Sequence, residues 1–253
     1  MCIRDRFIDV DTDRLIAGSL YLENSEIDNI DLRLEYYFGF NQFFTAGIFS
    51  KEILNPIEET VNESGDLIIT SYQNVPLAEI NGFEIEYEQV FEAIMDSPND
   101  LLVKFNYTET ESEVIVNPGD TYINSIGTVV DAQNLLANGR DTRLQGQSDT
   151  IANFQIGLDN LQNQTQATLI VNYVSDRVRA RGIDVLPDII EEPPLLVDFA
   201  FSKIYSYPEF ELKLSLELRN LLDEEYYASM RNIAIYDQYD LGTSASLGFK
   251  VSF

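Results

Sequence analysis

The stretch from Leu241 to Phe253 reads Leu-Gly-Thr-Ser-Ala-Ser-Leu-Gly-Phe-Lys-Val-Ser-Phe. Thr243, Ala245, Leu247, Phe249, Val251 and Phe253 alternate with Gly242, Ser244, Ser246, Gly248, Lys250 and Ser252. A period of two places the first set on one face of a β-strand and the second on the other. The apolar face continues to the last residue, where chains ordinarily fray. Such a strand needs a neighbour or a lipid phase to cover it.

Working upstream, the same alternation recurs. Phe210, Leu212, Leu214, Leu216 and Leu218 oppose Glu211, Lys213, Ser215, Glu217 and Arg219, and Val197, Phe199 and Phe201 oppose Asp198, Ala200 and Ser202. Segments 151–161 and 166–178 read as two more strands around Gln-Asn-Gln-Thr. Leu101, Val103, Phe105 and Tyr107 oppose Leu102, Lys104, Asn106 and Thr108; Ile85, Tyr87 and Phe91 oppose Glu84, Glu86 and Glu88. Ile30, Leu32, Leu34, Tyr36 and Phe38 form a further apolar row. The pattern predicts roughly 10–12 strands and no amphipathic helix.

The links alternate in length. Short turns fall near 39–42, 92–100, 162–165 and 206–209, longer polar segments near 117–148 and 180–193. Outer-membrane barrels have short turns at one end and long loops at the other. The polar face carries charges, whereas a small soluble barrel fills its interior with apolar side chains. Tyr36, Phe38, Tyr107, Tyr173, Tyr226 and Tyr227 are expected near strand ends, where interfacial girdles lie. The fold expected is all-β: an antiparallel transmembrane β-barrel, here an incomplete barrel. A two-layer soluble sandwich also produces alternation and stays open on periodicity alone.

Composition excludes several functions. The 253 residues hold 16 Lys+Arg against 43 Asp+Glu, a net charge of -27, which repels nucleic acid. With no histidine and one cysteine, His-based acid/base chemistry, His metal sites, Cys-rich zinc sites and internal disulfides are out of reach. No cofactor is expected. Cys2 lies in Met-Cys-Ile-Arg-Asp-Arg, which joins no pattern downstream; residues 1–6 are expected to be a non-native start and 7–253 one structural unit. Asp9, Asp11 and Asp13 have the spacing that opens an EF-hand loop, but Arg14 replaces its glycine and Leu20 its bidentate Glu, so no metal site is assigned. The Glu84/Glu86/Glu88 and Glu109/Glu111/Glu113 rows read as wet strand faces. No nucleophile has a base beside it and no Gly-rich phosphate loop occurs, so no enzyme is expected.

Leu216 to Tyr227, Leu-Glu-Leu-Arg-Asn-Leu-Leu-Asp-Glu-Glu-Tyr-Tyr, resembles the C-terminal signature of TonB-dependent outer-membrane receptors. There an apolar strand runs into Asn-Leu-(Leu/Phe)-Asp, an acidic residue and Tyr, then a loop and a last strand ending in Phe. Asn220, Leu221, Leu222, Asp223, Glu225, Tyr226 and Phe253 stand in those places. As chemistry, Asn220 and Asp223 can end a strand ladder by side-chain hydrogen bonds to backbone. Ala78 to Glu86, Asn55-Pro-Ile-Glu58 and Thr142-Arg-Leu-Gln-Gly-Gln-Ser148 resemble further strands of that family in the expected order, so the resemblance covers 24–253.

The resemblance implies a barrel of 22 strands around an N-terminal plug, taking up scarce ligands such as iron chelates, cobalamin or glycans with energy delivered through TonB. This chain departs from it in lacking the plug and the TonB-contacting segment and in holding about half the strands; it matches the C-terminal part of the barrel. The implied location is the Gram-negative outer membrane. Implied partners are outer-membrane lipid, the barrel-assembly machinery reading Phe249, Val251 and Phe253, and the TonB complex through the absent plug. A small-molecule or glycan ligand would be met by loops and lumen wall, with Arg140, Arg143, Arg231, Tyr236 and Tyr239 as candidates. The rival readings are a structural or adhesive outer-membrane barrel without energy coupling, and a soluble acidic β-sandwich that binds sugars or a protein.

Overall fold

A computed structural model describes residues 6–9, 14–64, 67–92, 98–124, 126–137, 140–183, 186–230 and 234–253. In chain order the strands are β1 (Arg6–Asp9), β2 (Arg14–Ala17), β3 (Glu26–Gly39), β4 (Gln42–Leu54), β5 (Ile57–Ser64) and β6 (Leu67–Asn74). There follow β7 (Leu77–Phe91), β8 (Asn99–Ile115), β9 (Thr121–Ile123), β10 (Val129–Asp131), β11 (Thr150–Asn160) and β12 (Thr165–Val174). The rest are β13 (Arg177–Gly182), β14 (Ile189–Glu192), β15 (Leu196–Ser206), β16 (Glu211–Arg219), β17 (Glu225–Met230), β18 (Ala234–Asp240) and β19 (Ser244–Ser252).

Nine of these form one antiparallel sheet in the order β3-β4-β7-β8-β11-β12-β15-β16-β19. We call it the wall. Its shortest strands, β16 and β19, have 9 residues each, enough for a tilted bilayer crossing. The strand order is that of an up-and-down meander interrupted only by shorter strands in every second link. Short turns join β3 to β4, β11 to β12 and β15 to β16 at one end; Asn41 (φ 53°) and Gln164 (φ 48°) adopt the left-handed conformation such tight turns require. The links at the other end carry β5–β6, β9–β10, β13–β14 and β17–β18.

Register assigns the faces. Tyr36, Phe44, Tyr87, Phe105, Phe154, Val171 and Val197 stand directly opposite one another across seven strands. Phe201, Leu216 and Leu247 make a similar row further on. The intervening residues make the other face polar: Glu35, Thr45, Glu86, Asn106, Asn153 and Asn172 share one row. The wall therefore has one apolar and one wet side. Gly82 sits opposite Phe49, whose ring covers the place a Cβ would take, at 2.5 Å from Cζ. The edge strands β3 and β19 each pair with one neighbour among the described residues, and Leu32, Leu34, Leu247 and Phe249 are exposed.

The link strands assemble a second, eight-stranded sheet, β1-β2-β6-β5-β13-β14-β17-β18, in which β2–β6 and β13–β5 run parallel. The well-buried side chains gather here and at the ends of the wall strands β7 and β8 that reach the links. Val61, Ala180, Ile189 and Ala228 form one cluster. A second cluster, Val75, Ala78, Val114, Tyr122, Ala132 and Leu135, seals the overshooting ends of β7 and β8 under the link that contains β9, β10 and a 3₁₀ turn at Ala132–Leu135.

The strand tally thus divides differently from the sequence expectation. The wall holds nine, and segments 117–148 and 180–193 contain short strands of their own. Segment 166–178 is two strands, since β12 stops at Val174 and β13 starts at Arg177. Tyr226 and Tyr227 lie in β17, within the second sheet and not at a wall end.

Candidate functional site

Solute can meet the wet face of the wall and the link sheet above it. On the wet face, charges are paired: Arg33 Nε lies 2.9 Å from Glu35 and its Nη2 lies 3.6 Å from Glu86, and Lys104 Nζ lies 3.0 Å from Glu88. Asn153 Nδ2 donates to Asn106 Oδ1 at 2.7 Å. The Glu86/Glu88 row is a compensated, hydrated surface.

The link sheet buries charge. On one face Arg181, fully buried, donates Nε and Nη2 to Glu58 at 2.5 and 2.9 Å, and Nη1 and Nη2 to the carbonyls of Asp141 and Arg143 at 2.8 and 3.0 Å. Glu58 accepts in turn from the Gln145 amide at 3.1 Å. Desolvation is the largest single influence and opposes the Arg181 charge, but Glu58, Asp188 and Asp141 together outweigh it and the guanidinium pKa lies above its ordinary value. Gln145 reaches across, accepting from the Glu59 amide at 2.5 Å and donating to the Arg179 carbonyl. Asp188, also fully buried, accepts from the amides of Asp141 and Gly182 at 2.9 and 3.0 Å. Gly182 is required here: a Cβ would lie 2.2 Å from the Leu186 carbonyl oxygen.

A bulge at Val178–Ala180 breaks the alternation of β13, so Arg179 and Arg181 reach different surroundings. Arg179 Nη1 donates to the Tyr226 hydroxyl at 2.8 Å and to Asp237 at 3.3 Å. The Arg14 guanidinium lies 4.3 Å over the Tyr236 ring, and that of Arg179 5.6 Å from it. Since β2 is second from one end of the sheet and β18 is the other end, the Arg14–Tyr236 contact shows that the sheet curls over its own face. Inside the curl, burial pushes the Tyr226 hydroxyl up to about 12 despite Arg179, and raises Tyr236. Burial also raises the Glu59 carboxyl against the attraction of Arg179 and Arg14.

The residues singled out from sequence fall in several places. Arg140, 8% exposed, donates Nη1 to the Asn134 carbonyl at 2.6 Å and Nη2 to that of Leu186 at 3.2 Å; its Nε is 3.9 Å from Asp188. Arg143 holds Asp141 at 2.8 Å, Asp176 at 2.9 Å and Asp149 at 3.3 Å. Burial acts to raise Asp141, but these hydrogen bonds from Arg143 prevail and its pKa falls below the usual carboxylate value. Asp188, near Arg140 and accepting from the Asp141 amide, joins both arginines in one network. Tyr236 belongs to the curl, and Tyr239 stacks on Tyr226 at 4.6 Å. Arg231 lies outside the described residues, as do Cys2, Asp11 and Asp13.

In the C-terminal motif, Asn220 (φ 51°) and Asp223 (φ 55°) are both left-handed, a conformation Asn and Asp adopt more readily than most side chains. Asn220 is buried; its Nδ2 donates to the Glu224 and Gly242 carbonyls at 3.0 and 3.3 Å, and its Oδ1 accepts from the Glu224 amide at 3.0 Å. The side chain thus clasps the end of β16 to the start of β19. Leu221 and Leu222 are exposed, and Glu225 accepts from Gln238 at 2.7 Å. Phe249 and Val251 share the apolar row of Leu214 and Leu212, while Phe253 is fully exposed.

Sequence reasoning missed Glu58, Arg181 and Asp188. Glu58 and Gln145 lie inside motifs quoted above, which was the one available signal; nothing in a lone Arg181 announces a buried pair.

No family model matches the chain, nor does any curated protein sequence. Among solved structures it is similar to the outer membrane transporter YddB from Escherichia coli, with a TM-score of 0.57 and 11% identity over 95% of this chain and 34% of that one. The chain spans about a third of that transporter's length. At this identity the likeness is one of fold: an all-β, antiparallel, incomplete wall of the membrane-barrel type.

Proposed function

We propose that the chain is the C-terminal part of the barrel of a TonB-dependent outer-membrane receptor, a transporter for a scarce ligand. The observation that carries this reading is the wall itself. One face is apolar from edge to edge, the other is wet, short turns lie at one end and sheet-forming links at the other. The C-terminal motif clasped by Asn220 and the fold likeness to a transporter support it. In this reading the apolar rows face outer-membrane lipid, the assembly machinery reads Phe249, Val251 and Phe253, and ligand arrives over the link sheet. Energy coupling would fall to a plug domain of the full-length product.

Epitopes placed at Gly119, in a link, and at Asn163, in a short turn, test the arrangement in the full-length gene product. The Gly119 epitope labels on intact cells, and the Asn163 epitope only after permeabilisation. Recovery of the product in the soluble fraction overturns the reading in favour of a sandwich. Correct topology with uptake unaffected by loss of the energy-coupling complex leaves a barrel without energised transport.

A further inference from the structure

A cavity of about 220 Å³ lies between the outer face of the link sheet and the β9–β10 hairpin. β2, β5 and β6 form its floor and Tyr122, Asn124 and Val130 its roof. Two floor side chains have buried polar atoms without a hydrogen-bond partner: Ser71 Oγ and Gln73 Nε2. Gln73 is 2% exposed and Ser71 6% exposed, so neither is turned to bulk water. Native proteins rarely leave such atoms unsatisfied, because a buried donor without a partner has lost its water and gained nothing in return. Thr60, Asn62 and Asn124 add further hydroxyl and amide groups to the lining, and Leu15, Ile69 and Ile183 add apolar surface.

None of the twelve lining residues carries a charge. In a chain with a net charge of -27 that neutrality defines a ligand class, since the carboxylate beside the floor, Glu58 of β5 opposite Gln73, is already taken up by Arg181. An ion entering here would be desolvated without a counter-charge. A molecule with several hydroxyls and no charge would accept from Gln73 Nε2, exchange hydrogen bonds with Ser71 Oγ and lay its C–H faces on the aliphatic wall. The volume falls below the roughly 300–1,000 Å³ of drug-sized sites, which sets the size at a single sugar unit or polyol.

We propose that this cavity is a binding subsite for a small uncharged polyhydroxylated molecule, a single sugar ring or cyclic polyol, held by Gln73 and Ser71. The site does not depend on energised transport and would stand if that reading failed.

The test uses the full-length product in detergent, with glucose and myo-inositol as neutral probes and gluconate and glucosamine as charged ones. Ligand-observed saturation-transfer NMR gives binding, and a soaked crystal gives the place. Neutral probes are expected to bind, charged probes at least tenfold more weakly. Gln73→Leu keeps the bulk, removes the donor and is expected to weaken glucose about tenfold. Ala17→Phe fills the cavity and abolishes binding; should either variant lose heat-modifiable migration, Ser71→Ala replaces it and is expected to weaken glucose several-fold. Ordered water alone in the soaked cavity, equal binding of charged probes, or affinity untouched by folded variants would each overturn the assignment.

Discussion

The wall and the link sheet solve opposite problems with the same secondary structure. Wall strands leave leucine and phenylalanine exposed and keep their polar groups on a wet face. The link sheet buries Glu58, Arg181 and Asp188 completely and closes over a small apolar cluster. A water-soluble domain would reverse the first arrangement. The difference teaches where each region would find its stability: in the proposed reading the wall draws it from a surrounding apolar phase, whereas the links hold satisfied internal charge.

The largest expected effect breaks the link side. Arg181→Met leaves the Glu58 carboxylate buried opposite a thioether, a loss of about 3–5 kcal/mol. Hydrogen–deuterium exchange should show the amides of β5 and β13 opening while those of β15 and β16 stay protected. Adding Glu58→Met should restore most of the protection, since a neutral pair removes the orphaned charge. Equal opening of wall and links would mean the two are one cooperative unit.

The next effect breaks the wall side. Leu216 lies mid-strand between Phe201 and Leu247 on the apolar face. Leu216→Arg should cost about 2–4 kcal/mol in lipid vesicles by denaturant titration. Ser202→Arg, one strand away on the wet face, should fall within about 0.5 kcal/mol of the parent. If the two variants match, the apolar rows do not face lipid.

How much of this was legible in the sequence follows from the same contrast. Wall strands are long and one-sided, so period two exposed Phe210 to Leu218 and Leu241 to Phe253 directly. Link strands such as β14 have four residues and pair partners far along the chain, β13 with β5 in parallel among them, so no local period marks them. Arg140 and Arg143 were visible as polar loop residues, and Asp141 stands two places from Arg143, but Asp188 and Asp176 come from the β12–β15 link, so no local spacing announced the network that joins them. The Asn220 turn was legible in kind because Asn and Asp suit a strand-ending turn; its reach to Gly242 was not.

A smaller effect tests the joint between the regions. Asn220→Ala removes three hydrogen bonds and leaves alanine in a left-handed conformation, a cost of about 1–3 kcal/mol. Faster exchange should appear at the β16–β19 edge and not in β5 or β13. Asn220→Gly, which relieves the backbone but not the hydrogen bonds, should recover only part of the loss.

The smallest effect is a pH dependence set inside the curl. The folded-state pKa of Glu59 is raised, so the native state holds its proton more tightly than the unfolded chain does. Stability from this group is present below its unfolded pKa and is lost as pH rises through the raised folded value. At neutral pH the carboxylate is therefore a net cost, even with Arg14 and Arg179 nearby, because desolvation is the larger influence. Asp141 has the opposite sign: its pKa is lowered, so its stabilisation holds at neutral pH and disappears on acidification through that lowered value. Glu59→Gln should therefore make β5 and β13 amides slower to exchange at pH 7, with the gain vanishing on acidification below the ordinary carboxylate range. A gain that persisted in acid would locate the effect in packing instead of charge. A loss at pH 7 would show that attraction to the two arginines outweighs desolvation, and the curl would then be held by its ions as the Glu58–Arg181 face is.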